Sequence, residues 1–402
     1  MYSFTTAANQ CSIGQPTRIP DQALSSMKLV ILGNIAPSLV RFRGALIRAA
    51  IDHGAQVVGC APDNEEWRSA GVADILADWG ARFRSVQIDR AGMNPTADLL
   101  TIATIFRLLR SEQPDVFLPY TMKPVIFGSL AARLTRVPRV VPLITGLGYV
   151  FSEGLEFRRK LARRVVLSLL RLSLADAACI IFQNRDDLLF FQANSLISQG
   201  TDTIVVAGSG VDLSEFQFAP PVVSPVTFIL ISRLIRDKGV AEFAAALKIL
   251  RERYSVQGTL VGPIDPNPAG ISLAEIQGWA DSGVLNYVGG VADVRPYLRA
   301  SSVFVLPTWY REGVPRTIIE ALAMGRPIIT TDTPGCRDTV IPGQNGFFVI
   351  PRDISSLTEA MEKFIVSPDT IATMGAHSRA LAESKFDVRK VNREILRALM
   401  LD

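Results

Sequence analysis

The segment EGVPRTIIEALAMGRPIITTD, residues 312–332, carries the punctuation from which the fold is read. Pro315 has the fixed φ of a first helical turn, Thr317 to Met324 can carry the helix, and Gly325 fits a C-terminal cap before an apolar strand, Pro327 to Thr331. Helix, glycine and buried strand in immediate succession are one unit of a parallel sheet with helices on its faces. Glu312 and Glu320 stand in this segment with seven residues between them. If most of it is helical, their carboxylates lie about 12 Å apart along the axis. That separation suits two hydroxyl-bearing ends of one extended ligand better than a shared acid/base pair. Gly313 lets a ligand approach the backbone, and the helix start offers free N–H groups to an anion. On spacing alone two solvated helix glutamates are the favoured reading. The strand, glycine and proline around them turn it toward a site for a diphosphate with a sugar at each end.

Working outward, the same half of the chain holds apolar runs at Val226 to Ser232, Gly258 to Gly262 and Val303 to Pro307, and closes near Phe347 to Ile350. Directly after the first run comes Ser232-Arg233-Leu234-Ile235-Arg236-Asp237-Lys238-Gly239. Ligands of open α/β sheets bind beyond the carboxyl ends of the strands, so Arg233 and Lys238 are expected at a cleft, where they can neutralise a leaving diphosphate. A solvated basic loop is the plain alternative for this segment taken by itself. The first half shows the same alternation: Met27 to Gly33, a helical stretch from Leu39, then Ala55 to Cys60, Val116 to Tyr120, Val140 to Ile144 and Ala178 to Gln183. Between the halves, Asp212 to Pro225 contains SEFQFAPPVVSP, with three prolines and no helical period, and reads as a linker. The expected fold is therefore α/β, with two Rossmann-like doubly wound domains, 27–211 and 226–385, facing a central cleft. Residues 386–402 form a C-terminal helix able to pack back on the first domain. Residues 1–26 are polar and read as a disordered tail, with Met27 as the expected functional start.

Composition excludes several classes. With 42 Lys+Arg against 38 Asp+Glu the net charge is +4, too balanced to argue nucleic-acid binding. Cys11, Cys60, Cys179 and Cys336 form no CxxC pair, so neither a zinc site nor a disulfide framework is indicated. There is no G-x-x-x-x-G-K-[ST], H-E-x-x-H or D-x-D, so no metal or other cofactor is expected. The loop Gly33-Asn34-Ile35-Ala36-Pro37-Ser38 resembles a phosphate-facing turn but lacks G-x-G-x-x-G, which weakens a nicotinamide or flavin reading. The two histidines, His53 and His377, sit in structural contexts, which leaves a serine or cysteine nucleophile without a base.

Mean hydropathy is +0.26, high for a chain in which no run of about 18 apolar residues occurs. Phe157 to Arg171 (FRRKLARRVVLSLLR) has six basic residues, Arg158, Arg159, Lys160, Arg163, Arg164 and Arg171, and no acidic one. It reads as an interfacial helix on an anionic leaflet, with an ordinary cationic surface helix as the alternative.

Taken together the segments resemble the retaining GT-B glycosyltransferases of family 4. SRLIRDKG is similar to that family's G-R-L-x-x-x-K-G, with Ser232 in place of the usual glycine, and EGVPRTIIEALAMGRPIITTD is similar to its E-x7-E block. YTMKPVIFGSLAA, ITGLGYVF, IIFQNRDD, VGPIDPNPAGI and GVADVRPYL look like the PglA- and CapM-like subgroup. That resemblance implies transfer of a hexose or N-acetylhexosamine from a UDP-sugar to an undecaprenyl-diphosphate-linked saccharide, in bacterial surface polysaccharide or glycan assembly. It implies an acceptor domain first and a nucleotide-sugar donor domain second. Arg233 and Lys238 would bind the donor diphosphate, Glu312 the donor-sugar hydroxyls and Glu320 the ribose. Gly313, Val314, Pro315 and Arg316 would border the donor, and Val288, Gly289, Gly290 and Val291 would meet the uracil edge. Gly33 and Asn34 would lie near the phosphate. Lys123, Thr145 and Gly146, with Arg158, Arg159, Lys160, Arg163 and Arg164, fall on the acceptor and membrane side. Many relatives place a histidine where this chain has Thr145-Gly146-Leu147-Gly148, so a backbone carbonyl of that loop is expected in its role.

The expected partners are thus a UDP-sugar, a lipid-linked saccharide and an anionic membrane surface, with no metal and no nucleic acid. The expected location is cytoplasmic, peripheral on the inner face of the cell membrane. A UDP-sugar epimerase of the same shape and a non-catalytic scaffold in a membrane complex are the alternative functions.

Overall fold

The computed structural model describes residues 27–63, 71–88, 94–147, 157–265 and 269–402, without the side chains of 157–162. The expected tail, residues 1–26, lies outside them. Apolar runs in the first half form β1 (Lys28–Leu32), β2 (Gln56–Ala61), β3 (Arg82–Ser85), β4 (Val116–Pro119) and β5 (Arg139–Val140), a parallel sheet of order β3-β2-β1-β4-β5. Three further parallel strands, β6 (Leu143–Ile144), β7 (Cys179–Phe182) and β8 (Asp202–Val205), follow in order β6-β7-β8. Leu29 and Ile31 point into one apolar layer and Val30 and Leu32 into the other, because successive residues of a strand face opposite sides. Both faces are covered by helices, as the near-continuous apolar strands require.

Val140 to Ile144 is not one strand. Pro142 has no N–H to give to a ladder, and the chain changes partner there: the Val141 N–H still donates to Phe117 O at 2.9 Å, while Pro142 O accepts from Ile181. The break lets a single edge serve two sheets, with a Tyr120–Leu143 bridge between them.

The second half forms β9 (Thr227–Ile231), β10 (Gln257–Val261), β11 (Asn286–Gly289), β12 (Val303–Leu306), β13 (Ile328–Thr331) and β14 (Gly346–Val349), parallel in order β11-β10-β9-β12-β13-β14. Its core, built around Phe228, Phe243, Phe304 and Phe364, is separate from the two layers of the first sheet. Residues 212–225 contain neither helix nor strand, and the buried Arg326 guanidinium donates to Ala219 O and holds that stretch against the second domain. The last helix, Val388–Leu399, returns to the first domain. Val391, Ile395, Leu396 and Leu399 pack among Leu29, Ile31 and Leu39, and Arg139 Nε donates to Ala398 O at 3.0 Å.

Candidate active site

The strand ends of the two domains face each other, and the loops that leave them carry the candidate residues. After β9 the chain makes a 3-10 turn, Arg236–Lys238, ended by Gly239 at φ +75°. A Cβ at Gly239 would lie 2.5 Å from Pro307 O, so only glycine lets this loop close on the end of β12. The closure is tied by Asp237 O, which accepts from Thr308 Oγ1 at 2.9 Å and from the Trp309 N–H at 3.0 Å. These contacts carry Lys238 to the segment after β12, where its ammonium forms an ion pair with Glu312 Oε1 and lies 5.2 Å from the centre of the Tyr310 ring. Lys238 is buried. Burial, with Arg233 pushing the same way, lowers its pKa to about 7, while the facing Glu312 carboxylate favours the charged form.

Glu312 precedes the helix rather than standing on it. The helix spans Arg316–Ala323, and Pro315 is its N-cap with extended backbone at φ −63°, ψ 116°, so residues 312–315 form a loop. The axial estimate of the glutamate separation therefore applies only to its second half. Extended backbone at Pro315 instead turns Glu312 toward Lys238. Glu320 lies on the helix, 8% exposed, and accepts from Arg316 Nε at 2.7 Å; burial raises its pKa and Arg316 opposes that rise. Arg233 Nη1 donates to Asp265 Oδ2 at 2.9 Å and half of its side chain is exposed. Val288, Gly289, Gly290 and Val291 lie at the end of β11, where Gly289 O accepts from the Gly262 N–H at 2.8 Å.

The opposite wall comes from the first domain. Gly146, at φ +107°, lies so close that a Cβ there would meet Gly313 N at 2.6 Å. A Cβ on Gly313 would in turn lie 2.2 Å from Gln183 Oε1 and 2.8 Å from Thr145 O. Thus Thr145 and Gly146 meet Glu312 and Gly313 backbone to backbone, with the Thr145 carbonyl the backbone oxygen and Gln183 Oε1 the side-chain oxygen that the first domain sets against Gly313. Asn184 locks the contact. Its Oδ1 caps the helix Arg185–Ala193 through the Asp187 N–H at 2.8 Å, and its Nδ2 donates to Gly313 O at 2.7 Å. Arg337 Nη1 adds an ion pair to Asp186 at 2.7 Å. Burial raises the pKa of Asp187 to about 6, with its Asn184 bond opposing the rise. Gln183 and Asn184 received no role from the sequence, although the Asn184–Asp187 spacing is that of a helix N-cap. The partner of that cap is 129 positions away, which no local pattern reveals.

The remaining residues are less converged. Gly33 and Asn34 form the turn after β1; Val314 packs on Gly208. Lys123 Nζ is held by Asp98 at 3.0 Å within the first domain, and the Arg163 guanidinium lies over the Phe190 ring at 5.7 Å. Arg164 is exposed, whereas the side chains of Arg158, Arg159 and Lys160, and Gly148 as a whole, lie outside the described residues. Among the described residues no group of three or more His, Cys, Asp or Glu converges as a metal site.

Comparison with known proteins gives this arrangement its class. Residues 225–366 match the family of "Glycosyl transferases group 1" and residues 47–184 that of "Glycosyl transferase 4-like". These two matches, one in each of the facing α/β domains, make the protein a glycosyltransferase. The chain is 28% identical to the N,N'-diacetylbacillosaminyl-diphospho-undecaprenol alpha-1,3-N-acetylgalactosaminyltransferase of Campylobacter jejuni, over 83% of this chain and 88% of that protein. It is 25% identical to the capsular polysaccharide biosynthesis glycosyltransferase CapM of Staphylococcus aureus, over 74% and 80%. In fold it is similar to sucrose-phosphate synthase of Thermosynechococcus elongatus, with a TM-score of 0.73 at 17% identity over 92% of this chain and 98% of that one. The chain belongs to the GT-B glycosyltransferases of family 4.

Proposed function

We propose that the protein transfers a hexose or N-acetylhexosamine from a UDP-sugar to an undecaprenyl-diphosphate-linked saccharide, with retained anomeric configuration, in bacterial surface polysaccharide or glycan assembly. The observation that carries this reading is the buried Lys238–Glu312 pair set against Thr145 and Gly146. It joins a cation for a departing diphosphate to a carboxylate for sugar hydroxyls, at a point reached by both domains. The names of the Campylobacter jejuni relative and of an Escherichia coli galactosyltransferase, 24% identical over 73% of this chain, both specify saccharides on diphosphoundecaprenol. A bound donor diphosphate would take over Lys238 and Arg233, freeing Glu312 for the sugar. The C–O bond to the diphosphate breaks as those cations stabilise the leaving charge. The acceptor oxygen then attacks from the same face and its proton passes to the departing diphosphate. The Thr145 carbonyl stands for the missing histidine, and contact between the domains excludes water. A panel of UDP-sugars tests the donor class: at least one is expected to raise the melting temperature by a few degrees at saturation, and no response to any UDP-sugar would overturn it.

Two expectations follow for the site. Glu320→Ala should raise the donor KM while leaving kcat close to wild type, because a ribose contact changes little between ground and transition state. Steady-state kinetics check it, and a turnover defect at unchanged donor KM would contradict it. The cations supply the charge compensation a metal gives elsewhere, so activity should survive EDTA; loss on chelation with recovery in Mg²⁺ would overturn the metal-independent mechanism.

The acceptor also requires a membrane surface. No helix among the described residues is long and apolar enough to cross a membrane. The helix Phe157–Leu174 buries Val166, Leu170 and Leu174 and exposes Arg164, Val165 and Leu172. Leu99 and Leu100 are exposed near the start of the helix Pro95–Glu112. A helix that follows a parallel strand begins at the strand's carboxyl edge, so both helix starts belong to the cleft side. Exposed leucines at one helix start and the basic run Arg158 to Arg164 at the other support peripheral binding to the cytoplasmic leaflet. With about 1 kcal/mol per basic residue at an anionic surface, vesicle binding should be strong at low salt and weak at high salt, and Arg158, Arg159, Arg163 and Arg164 changed together to glutamine should abolish it. Vesicle sedimentation reads the difference, and equal binding by the quadruple variant at low salt would remove the helix from this role.

A further inference from the structure

Arg43 lies on the helix Ala36–Asp52 and is 3% exposed. Its guanidinium stands 4.8 Å from the centre of the Tyr120 ring, and the Tyr120 hydroxyl bonds Ser38 Oγ at 2.6 Å in the first turn of the same helix. Nη1 donates to Phe42 O at 3.2 Å, but Nε is buried without a partner, and no carboxylate pairs with the group among the described residues. The charge that reaches it from the second domain is Arg316, a like charge. Arg316 lies over the Phe42 ring and bonds Glu320, and Arg41 also acts on Glu320 from the first domain, so that carboxylate is already shared by two guanidiniums and none is left for Arg43. Burying an unpaired guanidinium beside another cation is costly, and a bound anion would offset that cost. Two further features at the same place suit an anion. The N-cap residue Ile35 has no side-chain cap; its carbonyl takes the Ser38 N–H at 3.2 Å and Pro37 has no N–H, which leaves the Ala36 N–H as the donor of the helix start, and Gly33 approaches the Tyr120 hydroxyl so closely that a Cβ would lie 2.3 Å from it.

We propose that Arg43 is a substrate-binding residue that holds a diphosphate from the first-domain side of the cleft, opposite Arg233 and Lys238. The proposal rests on the glycosyltransferase reading above, in which both substrates carry a diphosphate, one in the nucleotide-sugar donor and one in the lipid-linked acceptor. Arg43→Gln removes the charge and the fork of donors together; Arg43→Lys keeps the charge alone. Arg43→Gln is expected to raise one substrate's KM by about tenfold to hundredfold, and Arg43→Lys the same KM by about fivefold, from the strength of charge-assisted hydrogen bonds. A shift in donor KM assigns the diphosphate of the nucleotide, and a shift in acceptor KM that of the lipid. Donor and acceptor KM both within about twofold of wild type in a folded variant would overturn the proposal. If Arg43→Gln fails to fold, Arg43→Lys carries the same comparison. A second arm uses inorganic diphosphate on the Arg233→Ala/Lys238→Ala protein. Thermal protection that persists there and disappears when Arg43→Gln is added supports the site, and absence of protection in the double variant overturns it. This arm needs no UDP-sugar, so it separates a failure of Arg43 from a failure of the donor assignment, which would show instead as a wild type indifferent to every UDP-sugar.

Discussion

Lys238→Ala is expected to lower turnover by about 10²- to 10³-fold, the effect of removing one positioned charge from a developing anion. The ammonium is buried, paired with Glu312 and held by a loop that Gly239 closes on Pro307. It is therefore oriented before substrate arrives, which is what makes a cation more effective at a leaving diphosphate than a solvated one. Removing it leaves the fold intact, because the loop is tied through Asp237 O rather than through the lysine side chain. Arg233→Ala should act in the same direction by at least about tenfold, since Arg233 need only turn from Asp265 to reach the same anion. Near-normal rates in both variants would sink the assignment. Burial gives the lysine a pH signature too. With its pKa drawn down to about 7 in the free protein, the cation is lost as pH rises from that point, earlier than an ordinary lysine would allow. Donor KM should accordingly climb on the alkaline side, and Lys238→Arg should flatten the climb.

Gly146→Ala should reduce kcat/KM by about 10²-fold, the scale on which a misplacement of about 1 Å acts. The added methyl would sit 2.6 Å from Gly313 N, a backbone atom that cannot move aside without carrying Glu312 with it. The positive φ at 146 adds backbone strain to the collision. Each domain keeps its own core, so the melting temperature should change little while the contact between domains is pushed apart. The measurement is kcat/KM beside a thermal scan, and full activity in a folded Gly146→Ala protein would contradict the claim that this backbone contact assembles the site.

These two residues differ in how far they could be read from sequence. Lys238 was legible because its role is local: it follows a run of strand residues, precedes a glycine and stands seven positions from the end of β9. Parallel strands were legible for the same reason, since burial on both faces leaves unbroken apolar runs such as Leu29 to Leu32 and Phe228 to Ile231. Glu312 was found, but its placement was not, because Pro315 begins the helix later than the glutamate spacing suggests. Pro142 likewise divided a strand whose apolar pattern ran straight through it. Asn184 and Arg43 were given no role because their meaning depends on the other domain, on Gly313 O in one case and on Arg316 in the other. A contact between distant segments leaves no periodicity in either.

The most direct test of the account is the anomeric configuration of the product, followed by NMR with the UDP-sugar identified by thermal protection and an undecaprenyl-diphosphate saccharide acceptor, in the presence of EDTA. The account predicts UDP release that requires the acceptor and a new glycosidic linkage of the same configuration as the donor. An inverted linkage would contradict the same-face substitution at Lys238 and Arg233, and an isomerised sugar formed from the donor alone would contradict glycosyl transfer itself.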